Sequence, residues 1–351
     1  MTLRDHIIGQ ITQAGPMSIA DFMSLCLMHP TLGYYTTRDP LGTAGDFITA
    51  PEISQMFGEL IGLSLAQTWQ DQGAPARFTL AELGPGRGTL MADILRAARN
   101  VPGFAQAAEV HLVEVSQPLR AMQSKLVPQA THHASLATLP DQPLYIIANE
   151  FFDALPIRQF QRDGTGWREK VVGLQDSTLS FGLTAPTPFA ALAGRTEDTK
   201  DGDIVELCPS LPSITTQMAT RINAHGGAAL IIDYGDWGSQ GDTLQALAAH
   251  KMVAPLDDPG NADLTAHVDF AAIAANATPA AHTRLTPQGV FLERLGITAR
   301  AQQLAQGLSG QARAAHIAAH RRLTHPNEMG HLFKVLALYP MGGTPPPGCE
   351  P

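Results

Sequence analysis

A carboxylate, three closely spaced glycines and a helix-compatible run stand together in Phe78-Thr79-Leu80-Ala81-Glu82-Leu83-Gly84-Pro85-Gly86-Arg87-Gly88-Thr89-Leu90-Met91. Strand, tight glycine turn and helix, in that order, bring bare backbone amides up to a bound nucleotide in a parallel α/β sheet. A dinucleotide fingerprint, G-x-G-x-x-G, needs its third glycine at position 89, which is Thr here. Glu82 would also set a like charge against two phosphates. The same carboxylate suits a cofactor with ammonium and sulfonium groups, as S-adenosylmethionine has. The turn reads as a methyltransferase loop, with Glu82, Gly84, Gly86 and Gly88 binding the cofactor.

Other polar residues fall where such a sheet puts its chemistry, at strand C-terminal ends. Glu114 ends an apolar strand over 109–115, about thirty residues past Gly84, against the roughly twenty of the dinucleotide case. That position suits a carboxylate accepting from two ribose hydroxyls. Asn149-Glu150-Phe151-Phe152-Asp153-Ala154-Leu155-Pro156 follows the next clear strand, 144–148, and crowds two carboxylates and an amide around two aromatics. Polar groups there are costly unless hydrogen-bonded or used, and in a transferase this is where the acceptor faces the methyl group. Capping of the following turn is the alternative, most credible for Asp153. Further back, Gly45-Asp46-Phe47-Ile48-Thr49-Ala50-Pro51-Glu52-Ile53 crowds small and polar residues before a long helix. It is either a capped loop or a wall over the glycine turn, with Asp46 and Thr49 directed at ligand. Asp233 ends a further strand over 229–233, and His267 lies in a polar run as a ligand contact or part of a cap. His316 and His320 stand four apart, but the Glu of H-E-x-x-H is missing and Arg313, Arg321 and Arg322 add positive charge. No metal site is assigned.

The elements that must position these residues divide the chain into segments. Residues 1–76 read as helical with a lid; apolar residues at Leu3, Ile7, Ile8 and Ile11 have helical spacing, and Ser18 with Asp21 caps a second helix through Leu27. Residues 77–156 alternate strand and helix, which implies right-handed crossovers and a parallel sheet. Residues 157–207 break the alternation with a hairpin signal at Asp163-Gly164-Thr165-Gly166 and read as an antiparallel insertion. Residues 208–340 form the second half of the core with further helices; Glu206-Leu207-Cys208-Pro209 reads as a helix opening, and Phe333 to Leu338 as the last strand. The proline-rich tail, 341–351, reads as disordered.

The 351 residues suffice for one large α/β domain with insertions or two smaller domains. An apolar share of 44% with 16% charged is that of an ordinary globular enzyme, and a net charge of −9 argues against a general nucleic-acid binder. No apolar run is long enough to span a bilayer, and the first residues lack a secretory pattern. Three scattered cysteines, Cys26, Cys208 and Cys349, read as free thiols in a reducing compartment, so the location expected is cytoplasmic.

Taken together, the Gly45–Ile53 and Glu82–Leu90 blocks, Val113-Glu114, Asn149–Pro156, Ile232-Asp233-Tyr234-Gly235 and Asp263-Leu264-Thr265-Ala266-His267-Val268-Asp269-Phe270 resemble the MidA-like S-adenosylmethionine-dependent methyltransferases. The matching blocks span nearly the whole chain in the family's order. The glycine turn is generic to methyltransferases; the Asp46 and Asn149 blocks are far more specific. The mitochondrial members of that family are assembly factors of respiratory complex I. The resemblance implies a class I (Rossmann-like) methyltransferase core of seven strands, mostly parallel, and methylation of an arginine side chain on a complex I subunit. An arginine acceptor is a delocalised cation, for which carboxylates are the natural clamp. Glu150 and Asp153 are then the catalytic pair, with Asp46 behind them, Asn149 near the sulfonium, and Thr49, Asp233 and His267 as weaker substrate contacts. Residues 241–247 are poorer in Arg and Tyr than the family pattern, and no substrate-holding role is assigned to them. Two other readings remain open: an assembly chaperone that binds the cofactor without turnover, and a nucleotide-dependent oxidoreductase, which must explain Glu82 and the absent glycine.

Overall fold

The structure is a computed structural model that describes residues 1–37, 48–238 and 240–351. It divides into two compact units: Met1–Phe47, Asp153–Leu211 and Gly238–His267 form one, and Ile48–Phe152, Pro212–Trp237 and Val268–Pro351 the other. This division cuts across the segments read from sequence, because residues 48–76 join the sheet-bearing unit.

That unit is built on six strands: β1 (Phe78–Leu83), β2 (Ala108–Val113), β3 (Thr131–His133), β4 (Leu144–Asn149), β5 (Gly227–Asp236) and β6 (Phe333–Tyr339). Their spatial order is β6-β5-β4-β1-β2-β3. All neighbours run parallel except β6, which is antiparallel to β5. Beyond β6 the sheet is completed by two short pieces, Ala281–His282 and Thr286–Pro287, and Val268–Asp269 pairs with the end of β5. The mostly parallel α/β sheet is thus present, with a divided outer strand. β1, β4 and β6 are buried at every position, as strands covered on both faces must be, and they are mainly apolar. Helices α1 (Ala50–Ile53), α2 (Gln55–Asp71), α3 (Thr89–Ala98) and α4 (Gln117–Leu126) precede or follow β1 and β2. Phe57, Ile61, Trp69, Phe78, Ile94, Phe104 and Tyr145 belong to one continuous core.

The tail does not follow its composition. The Ser64 hydroxyl donates to the Pro347 carbonyl at 2.8 Å, the Arg284 N–H donates to the Glu350 carbonyl at 2.9 Å, and Cys349 packs on the core. Buried partners outweigh the turn-forming prolines.

The other unit opens with helices Leu3–Ala14 and Ile19–Met28; Thr2 and Asp5 make a capping box, and the Ser18 hydroxyl accepts the Asp21 N–H. Strands Arg158–Asp163 and Gly166–Gln175 form the hairpin at Gly164-Thr165, extended by Thr178–Leu183. Ile204–Leu207 is a strand paired with Arg158–Asp163, and the helix begins only at Leu211. Glu206 and Leu207 therefore close a sheet where the sequence predicts a helix opening. Their local signal is real, but Gln159 Nε2 holds the Glu206 carboxylate at 2.6 Å in the sheet. A small antiparallel sheet of Lys251–Val253, Gln245–Ala248 and Asp263–Thr265 completes the unit.

Candidate active site

The glycine turn leaves β1 at Leu83. Its glycines all take left-handed backbone, with φ of 59° at Gly84, 53° at Gly86 and 90° at Gly88. The Gly84 N–H donates to the Val113 carbonyl and the Gly88 N–H to the Pro85 carbonyl, which folds the turn tightly over the ends of β1 and β2. A Cβ at Gly84 would lie 3.0 Å from the Phe151 ring, so a side chain there would crowd that ring as well as strain the backbone.

Glu82 is the one acidic residue in β1 and is 3% exposed. Burial pushes its carboxyl up to about 8, while the Met91 N–H pulls it down. Its Oε2 has no hydrogen-bond partner among the described residues. On the neighbouring strand β4, Asn149 Oδ1 is also buried without a partner among the described residues. Two orphaned acceptors on adjacent strands, beside the glycine turn, suit a cationic cofactor such as S-adenosylmethionine. The residues present fit that cofactor.

Glu150 follows β4 with φ +51°, a left-handed conformation that costs a non-glycine residue about 1–3 kcal/mol. Its own N–H donates to the Ile232 carbonyl at 2.9 Å. Its Oε1 accepts from the Ala50 N–H at 3.0 Å and from Asn149 Nδ2 at 3.1 Å. This explains α1: Thr49 sits at the N-cap but makes no side-chain cap bond, and Glu150 takes over that task. From the same four-residue helix, Glu52 Oε1 accepts the Thr89 hydroxyl at 2.5 Å, and its Oε2 stands 3.7 Å from Arg87. α1 therefore joins the Glu150 loop to the glycine turn.

Asp233, fully buried, accepts the Phe151 and Phe152 N–H groups at 3.2 and 3.0 Å. It holds the loop that carries Glu150. Glu114, 8% exposed, accepts the Val115 and Ser116 N–H groups through Oε1 at 2.8 and 2.7 Å. Burial raises its pKa against these bonds.

One unit thus brings together Glu82, the three glycines, Glu114, Asn149, Glu150, Thr49 and Asp233. Asp153 and His267 belong to the other. There the Asp153 carbonyl accepts the Ala266 N–H at 2.9 Å. Tyr35, whose hydroxyl donates to Asp263 at 2.8 Å, has its pKa driven up by burial and then by Asp263 and Asp153. The His267 N–H donates to the Thr243 hydroxyl at 2.9 Å, and the following helix is capped by Asp269 instead. Asp46 lies outside the described residues. His316 Nε2 meets the Ala301 carbonyl at 2.9 Å and His320 Nε2 the Thr298 hydroxyl at 3.0 Å, so the two imidazoles are engaged separately.

Sequence reasoning missed Glu52 and Gln123 as site-building residues. Glu52 gives no local sign of its distant partner Thr89. Gln123 does give one, as a polar residue four positions after Leu119 on the buried face of α4.

A mostly parallel sheet with one long antiparallel strand, a glycine turn after a central strand and, among the described residues, unpaired acceptors at the strand ends define a class I methyltransferase. Residues 60–289 match the family described as "Putative S-adenosyl-L-methionine-dependent methyltransferase". Protein arginine methyltransferase NDUFAF7, mitochondrial, from Homo sapiens is 36% identical over 366 residues, covering 95% of this chain and 82% of that protein. The Xenopus laevis protein of the same name is 36% identical over 372 residues, covering 96% of this chain and 84% of its own. A Burkholderia thailandensis protein described as a "likely methyl transferase", bound to S-adenosyl-homocysteine, superposes with a TM-score of 0.83 at 26% identity, covering 99% of this chain and 93% of that one. The chain belongs to this S-adenosylmethionine-dependent methyltransferase family.

The cytoplasmic expectation is corrected by the same comparison, since these relatives are mitochondrial by name. Unpaired cysteines report a reducing environment and do not identify a compartment. No helix among the described residues is long and apolar enough to cross a membrane.

Proposed function

We propose that this methyltransferase acts on an arginine side chain of a protein, and that the acceptor is a subunit of respiratory complex I during its assembly. The reading is supported by relatives named as protein arginine methyltransferases over almost the whole chain. The observation that carries the site is the pair of unpartnered buried acceptors, Glu82 Oε2 and Asn149 Oδ1, beside the glycine turn. Glu82 and the turn amides hold the methionine end, Glu114 the ribose, and Asn149 the region near the sulfonium. When bound, S-adenosylmethionine supplies an electrophilic methyl group.

The protein's own task is alignment, because displacement at a sulfonium needs nucleophile, methyl and leaving group in line. Such pre-alignment is worth about 7–11 kcal/mol at best. Glu150 holds the guanidinium by charge-assisted hydrogen bonds and localises its lone pair on the attacking nitrogen. The strained backbone at Glu150, held through its N–H by the Ile232 carbonyl, and its carboxylate, held by the Ala50 N–H, support the reading of a preorganised clamp. Thr49, on the same unit as Glu150, is a weaker contact for the acceptor chain.

Mass spectrometry of complex I subunits treated with enzyme and S-adenosylmethionine tests the acceptor. Glu150→Gln should remove methylated product while S-adenosylhomocysteine affinity stays within about threefold, a loss below about 0.7 kcal/mol. Equal loss of both would take Glu150 out of the acceptor role. Binding by the wild type without any product would instead indicate a cofactor-binding chaperone.

A further inference from the structure

Helix α4 buries only two of its residues, Leu119 and Gln123. A leucine at 123 would bury apolar surface without the cost of desolvating an amide. The amide is instead fully used inward. Gln123 is 0% exposed, and its Nε2 donates to the Gly86 carbonyl at 2.7 Å and to Glu114 Oε2 at 3.4 Å. Its Oε1 stands 3.0 Å from His132 Nε2 on β3. These partners fix the amide's orientation. Turned over, its oxygen would face a carbonyl and a carboxylate, two acceptors, so the NH2 must point inward and His132 must donate to the oxygen. Contact is close on the backbone side as well, since a Cβ at Gly88 would lie 3.6 Å from Gln123 Cα.

We propose that Gln123 is a positioning residue of the cofactor site: it sets the distance between the glycine turn and the Glu114 carboxylate, with His132 locking its amide. Gly86 and Glu114 lie on separate strand-to-helix connections, and Gln123 is a side chain that bonds to both. With it in place the two are presented to the cofactor as one preset surface, and little ordering remains for binding to accomplish. Removing it leaves the Gly86 carbonyl and a Glu114 carboxylate oxygen short of a donor. The inference rests on the reading of Glu114 as the ribose acid.

The test is a double-mutant cycle of Gln123→Leu and Glu114→Gln, read by S-adenosylhomocysteine calorimetry, by KM and kcat, and by thermal melting. Gln123→Leu should raise Kd for S-adenosylhomocysteine and KM for S-adenosylmethionine by about tenfold or more, with kcat at saturation changed less than about threefold. The two substitutions should be non-additive, because each removes the same bond. An unchanged Kd in a folded Gln123→Leu protein, or strict additivity, overturns the proposal. If Gln123→Leu fails to fold, His132→Phe, which removes only the amide's lock, must raise Kd, and an unchanged Kd there also overturns it. If Glu114→Gln itself leaves affinity unchanged, it is the ribose reading that falls.

Discussion

At the scale of single residues, the most informative group is Glu82. A carboxylate buried in a strand core is unfavourable unless something positive arrives, and its pKa of about 8 records that cost. The sign of the linkage follows from the raised value. Its contribution to stability is fully present below the ordinary carboxyl value of 4.5 and is lost as pH rises through about 8. Glu82→Gln should therefore melt higher than wild type at pH 9, with little difference at pH 4.5. The same variant should weaken S-adenosylmethionine binding by at least about tenfold, the loss of one charge-assisted contact. Wild type should also release a proton on binding near pH 7, seen by calorimetry in buffers of different ionisation enthalpy, and Glu82→Gln should not. A variant that binds normally and melts like wild type at pH 9 would remove Glu82 from the site.

At the scale of elements, α1 shows how a helix too short to stand alone becomes a structural joint. Its first amide is capped from the loop after β4, and its Glu52 reaches the start of α3. Glu52→Ala should lower stability by about 1–3 kcal/mol, the cost of losing hydrogen bonds to a carboxylate, measured by urea unfolding. It should also weaken cofactor binding, because the turn loses its brace at Thr89 and Arg87. A second element-scale constraint is Gly235, where a Cβ would lie 2.1 Å from the Val268 carbonyl. That approach is what allows residues 268–269 to pair with the end of β5.

At the scale of the whole molecule, the tail is the clearest case of tertiary structure overruling composition. Residues 341–351 contain the prolines and glycines expected of a loose end, yet Pro347, Cys349 and Glu350 all have partners within the sheet-bearing unit. Deleting residues 342–351 should lower the melting temperature by at least about 3 °C. An unchanged melting curve would mean that these contacts contribute nothing. The same scale explains the division into units. Residues 1–28 and the hairpin strands share a core through Ile7, Phe22, Ile157 and Val172, although more than a hundred positions separate them in the chain.

The sequence by itself determined the parallel sheet, the turn after β1, the strand-end acids and the two N-terminal helices, the second with its cap. Each of these is written in a short window: an apolar run, a glycine spacing, a Ser ahead of an acid. Only the tertiary structure decided that Asp233 holds a loop, that Glu150 caps α1, that Gln123 joins Gly86 to Glu114, and that Ile204–Leu207 is a strand. Those outcomes depend on which distant backbone donor or acceptor lies within about 3 Å, and a hydrogen bond has no signature in the residue types of one partner alone.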